Sequence, residues 1–232
     1  MMPQDRVVTG IISSAKRPGR FEIRVDDALF ATLTLDTIER LGVRVGKQLD
    51  DALVASVISE AQLLSTFDRA MRMLGARARS ARELQRLLMQ KGEPAEASAV
   101  AIERLITAGL LDDGSYARQF ARAKMTGAGM ARRRLKQELV RKGVDGNVAE
   151  RAIGDMVTDD AVDEDAILER VARKKLRMLS AADDVTKRRR LFGFLSRRGY
   201  DLAAIQRVTR GLLGAASESV AHDTSSRFGL AE

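Results

Sequence analysis

The chain has 232 residues, 45% hydrophobic and 31% charged, with 40 Lys and Arg against 32 Asp and Glu, for a formal charge of +8 and an isoelectric point near 10.2. That length carries a core or a string of small ones, and the basic excess fits attraction to a polyanion: nucleic acid, an acidic protein surface or anionic lipid. The absence of cysteine excludes disulfides, thiolate metal sites and cysteine nucleophiles, and a single histidine, His222, leaves little for a triad or a multi-histidine metal centre.

The N-terminal MMPQDRVV lacks a signal-peptide core and no apolar run approaches the ~20 residues needed to cross a bilayer, so a soluble cytoplasmic protein is expected. The runs Val7–Ser13, Arg20–Val25 and Ala28–Thr34 are β-rich, and Asp26-Asp27 between the last two reads as a hairpin turn. Leu35-Asp36 opens a short helix closed by Gly42, and Asp50 or Asp51 caps another running to about Leu64. Gly42-Val-Arg-Val-Gly46-Lys47 looks like a phosphate loop at first glance. It is one residue short of the required spacing and is followed by Gln48, so a turn is expected. Residues 1–62 thus read as a small α+β module.

From Ser65 onward helical periodicity takes over and repeats. Gly92, Gly143 and Gly199 stand 51 and 56 residues apart. Leucines lie eight and four residues before each (Leu84 and Leu88, Leu135 and Leu139, Leu191 and Leu195), and a cation lies directly before each: Lys91, Lys142, Arg198. Thirteen residues after each come Leu105, Met156 and Leu212, followed by Ile106, Val157 and Leu213. A left-handed glycine closing a helix, with a cation facing the helix dipole, explains the phrase. Leading helices are expected at Phe67–Leu74, Tyr116–Met125 and Ile167–Leu176. The reading is three tandem three-helix repeats, 63–112, 113–158 and 159–214, and a small polar tail, 215–232, expected to be disordered. The acidic connectors Asp112-Asp113, Asp159-Asp160 and Asp163-Glu164-Asp165 suit N-capping; a carboxylate metal site is the sharper alternative, with nothing else at ligand spacing to support it.

On a helical wheel centred on each leucine pair, the positions ten, nine and two residues before the glycine point away from the core. They are Arg82, Glu83 and Gln90 in the first repeat, Arg133, Arg134 and Arg141 in the second, and Arg189, Arg190 and Arg197 in the third. A solvated face normally mixes signs, as the first repeat does. Uniform arginine repels itself and suits forked recognition of carboxylate or phosphate. With the adjoining Lys136, Lys142 and Arg198, these arginines form the candidate anion-docking set.

The run from Ala76 through the second and third basic helices resembles the RecX family of recombination regulators. The resemblance covers roughly Thr66 to Leu213. It rests on the S-x-x-E-L start at Ser80–Leu84, the G-L-L-D-D connector at Gly109–Asp113 with Tyr116-Ala117 after it, and the E-L-x-x-K-G end at Glu138–Gly143. The β-rich N-terminus is similar to the extension of longer members, while Gly127 and Gly129 stand where many members carry Gly-Pro nearer the second basic helix. The resemblance implies an elongated, curved array of three-helix repeats. It also implies a non-enzymatic modulator, without cofactor, that binds RecA and the RecA–DNA filament and restrains ATP hydrolysis, strand exchange and filament growth in repair, recombination and the SOS response.

The expected fold is therefore mainly α with an N-terminal α+β module, in a monomer. The competing reading is a non-specific DNA-binding or architectural protein whose arginine face tracks phosphates. Aromatics make up only 4% of the chain and there is no tryptophan, so stacking platforms for single strands are not expected. In the second repeat only Gln137 suits base readout, so phosphate contact is expected rather than base reading.

Overall fold

The computed structural model describes residues 6–15 and 17–226, the side chains of 215–226 excepted. Two compact units meet in sequence at Leu111 and Asp112.

The first unit opens with strands β1 (Val8–Ser13), β2 (Phe21–Val25) and β3 (Ala28–Leu33), an antiparallel sheet in the order β1-β2-β3. Asp26 and Asp27 take φ of 50° and 64°, which two-residue hairpin turns of type I′ require and Asp tolerates. Helix α1 (Leu35–Arg40), capped by Thr34, leads into the Gly42–Lys47 segment. That segment is a turn: both glycines have positive φ and the Lys47 ammonium donates to the Gly42 carbonyl at 3.1 Å.

Asp50 caps α2 (Asp51–Ala76), a single helix of 26 residues. This corrects the expected helix end near Leu64, and the helix runs on through residues 62 and 63. Residues 61–67 contain neither glycine nor proline, and nothing in them stops helix propagation. The first half of α2 packs Val57, with Leu53, Val54 and Ala61, against Ile23, Val25, Ala31 and Leu33 of the sheet. Its second half packs Phe67, Ala70, Met73 and Leu74 against α3 (Ala81–Gln90) and α4 (Ala95–Thr107). The leading helix of repeat one is thus the end of a helix that also roofs the sheet. Buried Glu93 ties the halves together, accepting from Gln62 at 2.7 Å and Thr66 at 2.6 Å and pairing with Arg69 at 2.5 Å.

The second unit holds repeats two and three. Repeat two is α5 (Asp113–Arg122), a π-helical turn (Ala123–Gly127), α6 (Arg132–Arg141) and α7 (Gly146–Asp159). Repeat three is α8 (Glu164–Arg177), α9 (Asp184–Arg197) and α10 (Leu202–Ser226). The backbone of α10 continues into the stretch expected to be a disordered tail; residues 227–232 lie outside the described residues.

All six anchor leucines are fully buried, each pair at the centre of its own repeat's core. Gly92, Gly143 and Gly199 take φ of 86°, 93° and 91°. In each repeat the glycine amide and the next amide turn back onto the helix end, closing a Schellman motif. One detail differs: in repeat three Leu213 is the more deeply buried of its pair, while Leu212 packs at the edge of the core. No helix of the described residues is long and apolar enough to cross a membrane.

Candidate functional site

Helix starts in this chain follow a rule, and α6 breaks it. Asp112, Asp145, Asp163, Asp183 and Asp201 accept backbone amides at the starts of α5, α7, α8, α9 and α10. Thr34, Asp50 and Ser80 do so for α1, α2 and α3, while α4 carries Glu96 in its first turn. These bonds, with the hydroxyl of Ser115 foremost for Asp112 and the amide of Thr186 foremost for Asp183, hold both carboxyls below the usual carboxylate range. Among the α-helices of the described residues, α6 alone has neither a side-chain cap nor an acid in its first turn. It begins Ala131, Arg132, Arg133, Arg134, with three cations at the positive end of the helix dipole. Each such placement costs about 0.3–1 kcal/mol where it is not compensated. A local rule broken by a whole turn of arginine marks a functional surface more often than a structural one.

Part of the compensation comes from repeat three. Glu164, at the start of α8, pairs with Arg132 at 2.5 Å. The end of α9 then docks on the start of α6: the Ala131 amide donates to the Arg198 carbonyl at 2.9 Å. Gly199 lies so close to the Arg134 backbone that a Cβ on it would fall 2.9 Å from the Arg134 nitrogen. The negative end of one dipole therefore meets the positive end of another, and the arginines that open α6 adjoin those that close α9. Tyr200 packs into this junction, where burial, only partly opposed by the Arg198 charge, pushes its phenol up to about 12. Next to this junction, Gly129, in the connector of Gly127 and Gly129, lets the chain pass against Val171 of α8, and Arg170 donates to the Thr126 carbonyl at 2.6 Å.

The candidate arginines separate into three groups. Arg133, Arg189, Arg190 and Arg197 are exposed and make no ion pair with any described residue. Arg134 and Arg141 share Glu138, at 3.0 and 3.7 Å, and Lys136 pairs with Glu150, whose carboxyl that hydrogen bond holds below its ordinary range. Lys142 and Arg198 lie over aromatic rings, Phe120 at 5.5 Å and Phe194 at 4.3 Å, where the cation adds packing to its charge. Arg134 is half-buried at the junction, and so positions repeat three as well as facing solvent.

In repeat one the wheel is corrected at Glu83. It is buried, at 7% exposure, and pairs with Arg77 and Arg79 from the turn before α3. Those arginines reach over the helix start, a contact that periodicity within α3 cannot register. The acidic connectors act as caps and as partners of cations: Arg118 meets Asp159 at 2.5 Å, Arg122 grips Asp160 through two 2.6 Å bonds, and Arg207 meets Asp165 at 2.6 Å. The Asp160 contact raises the Arg122 guanidinium above its ordinary value. Arg132, Arg188 and Arg210 escaped the wheel; Arg132 and Arg188 simply continue the basic runs one residue upstream.

Three family models match successive parts of the chain: "RecX, first three-helix domain" over 67–105, "RecX, second three-helix domain" over 112–153 and "RecX, third three-helix domain" over 163–209. The regulatory protein RecX of Amycolatopsis mediterranei (strain U-32) is 38% identical over 128 residues, covering 55% of this chain and 71% of that one. That of Streptomyces coelicolor (strain ATCC BAA-471 / A3(2) / M145) is 33% identical over 152 residues, covering 66% and 79%. Among solved structures, a regulatory protein RecX superposes with a TM-score of 0.70 at 18% identity, covering 88% of this chain and 98% of its own. RecX from Lactobacillus salivarius superposes with a TM-score of 0.56 at 22% identity, covering 65% and 96%. At those identities the structural likeness speaks for the fold.

Proposed function

The chain belongs to the RecX family of regulatory proteins, and on that footing we propose that it restrains RecA, binding RecA and its nucleoprotein filament without catalysing a reaction of its own. It acts in the cytoplasm as a monomer, and damps the filament's ATP hydrolysis, strand exchange and extension during recombination and repair. The observation that carries this reading is the junction of α6 and α9. It brings the start of α6, with Arg132, Arg133 and Arg134, against the end of α9, with Arg197 and Arg198, and Arg133, Arg189, Arg190 and Arg197 have no acidic partner among the described residues. Such a surface is complementary to carboxylates on a protein filament and to phosphates of the DNA it carries. The partly paired residues, Arg134, Lys136, Arg141, Lys142 and Arg198, shape and hold this surface.

Binding to RecA-coated single-stranded DNA, compared with bare DNA across a salt series, tests the reading. The account expects much tighter binding to the coated strand and a shallow salt dependence of that preference. Equal affinity for both, falling steeply with salt, would reassign the chain as a phosphate-tracking DNA binder.

A further inference from the structure

Repeats two and three have the same groove at the same place, between their second and third helices, and fill it differently. In repeat two it is lined by Arg132, Arg133, Lys136 and Glu150, has about 190 Å³ of space, and is spanned by the Lys136–Glu150 ion pair. The positions 56 residues later are Arg188, Arg189, Phe192 and Gln206. Both members of the ion pair are therefore replaced, one by an aromatic ring and the other by a neutral amide. The repeat-three groove has about 440 Å³, more than twice the space, and no acidic residue lines it. Phe192 is 46% exposed, an unusual fate for a phenylalanine on a helix whose core leucines are fully buried. Arg188 and Arg189 stand on one rim and Arg210 on the other. The Thr209 hydroxyl lines the groove, shielded from solvent, with no hydrogen-bond partner among the described residues.

We propose that this groove takes one unstacked nucleotide of single-stranded nucleic acid. The base lies on the Phe192 ring, its edge hydrogen-bonds the exposed Gln206 amide, and the flanking phosphates meet the rim arginines. Every base has a flat face to stack, so the site tolerates any sequence. An apolar side chain of an acidic peptide fits less well: it would leave the Gln206 amide facing it unpaired, which a base edge does not. Aromatics are scarce in this chain, and the inventory of the sequence pointed away from stacking. What the inventory cannot register is that one of the few rings is left out of the core, between three cations.

The test uses the full-length protein without RecA, so its failure leaves the filament reading standing. The anisotropy of a labelled short oligothymidylate is followed for the wild type and for Phe192→Leu, Phe192→Tyr and the double variant Phe192→Lys/Gln206→Glu, which grafts the repeat-two ion pair into repeat three. The proposal expects Phe192→Leu to weaken single-strand binding about tenfold, the worth of one stacked base, with duplex binding unchanged and Phe192→Tyr near wild type. The grafted pair should close the groove and weaken binding at least as much, and it supplies the reading should Phe192→Leu lose helix content. Single-strand binding unchanged in both variants, or falling in step with duplex binding, would overturn the proposal. So would displacement of the oligothymidylate by free thymidine monophosphate at comparable concentration, which would make the ligand a free nucleotide, or by polyglutamate at equal charge, which would make it an acidic peptide.

Discussion

The Arg198 carbonyl accepts the Ala131 amide hydrogen at 2.9 Å, so the last turn of α9 closes directly on the first turn of α6. Gly199 makes the approach possible: an added Cβ would sit 2.6 Å from the Arg134 Cβ and 2.9 Å from its backbone nitrogen. Gly92, the equivalent residue of repeat one, has the same left-handed backbone and open space around it. Gly92→Ala should therefore cost only the backbone strain, about 1–2 kcal/mol. Gly199→Ala should cost that plus the displacement of α6, and should be clearly the more damaging in urea melts. Equal losses would show that the junction contributes nothing to stability.

The start of α6 can be separated from its charge. Ala131 already has the extended backbone of a cap, with φ −76° and ψ 157°, but lacks an oxygen to accept an amide. Ala131→Ser should stabilise the protein by about 1 kcal/mol and leave RecA inhibition unchanged, since every arginine remains. A gain in stability matched by lost inhibition would mean that the uncapped turn itself, and not its arginines, makes the contact.

Because α2 belongs to both the sheet and repeat one, the fragment 1–111 should unfold in a single transition. Gln62→Ala should lower its stability by about 1–2 kcal/mol through the lost bond to buried Glu93. Two separate transitions for sheet and helices would restore a boundary within α2.

The phenol of Tyr200 is pushed up to about 12 by burial, while an unfolded tyrosine titrates near 10. A group whose folded pKa is raised contributes stability that is fully present below the unfolded pKa and is lost as pH rises through the folded one. The junction should therefore keep this contribution below about pH 10 and lose it toward about pH 12. Phenolate absorbance of a Tyr116→Phe variant, which leaves Tyr200 as the sole tyrosine, should rise late. A midpoint near pH 10 would place the ring in solvent.

How legible this molecule was in its sequence depends on the distance over which each feature is determined. The repeats were readable from Gly92, Gly143 and Gly199 because a left-handed helix end and its two leucines are set within nine residues. The hairpin at Asp26-Asp27 was readable for the same reason. The fate of Glu83 was not, because Arg77 and Arg79 reach it from outside its helix. Nor could a wheel distinguish Arg134 from Arg133: only the arrival of Gly199 from repeat three makes one a junction residue and leaves the other in solvent. The unbroken α2 is not legible because a change from strand to helical texture near residue 62 implies no break where one helix serves both the sheet and repeat one.

The central claim, that the joined arginine surface of repeats two and three docks on the filament, is tested most directly by RecA's DNA-dependent ATP hydrolysis. The variant to measure carries Arg133, Arg141, Arg190 and Arg197 changed to Glu, which spares both Arg134 at the junction and Arg189 in the repeat-three groove. Each lost charge is worth about 1 kcal/mol or less at an exposed rim, and reversal adds repulsion. The account predicts an unchanged helical spectrum and loss of inhibition at concentrations where the wild type is fully inhibitory, while Arg82→Glu/Arg86→Glu in repeat one inhibits almost normally. A folded quadruple variant that still inhibits at wild-type concentrations would contradict it.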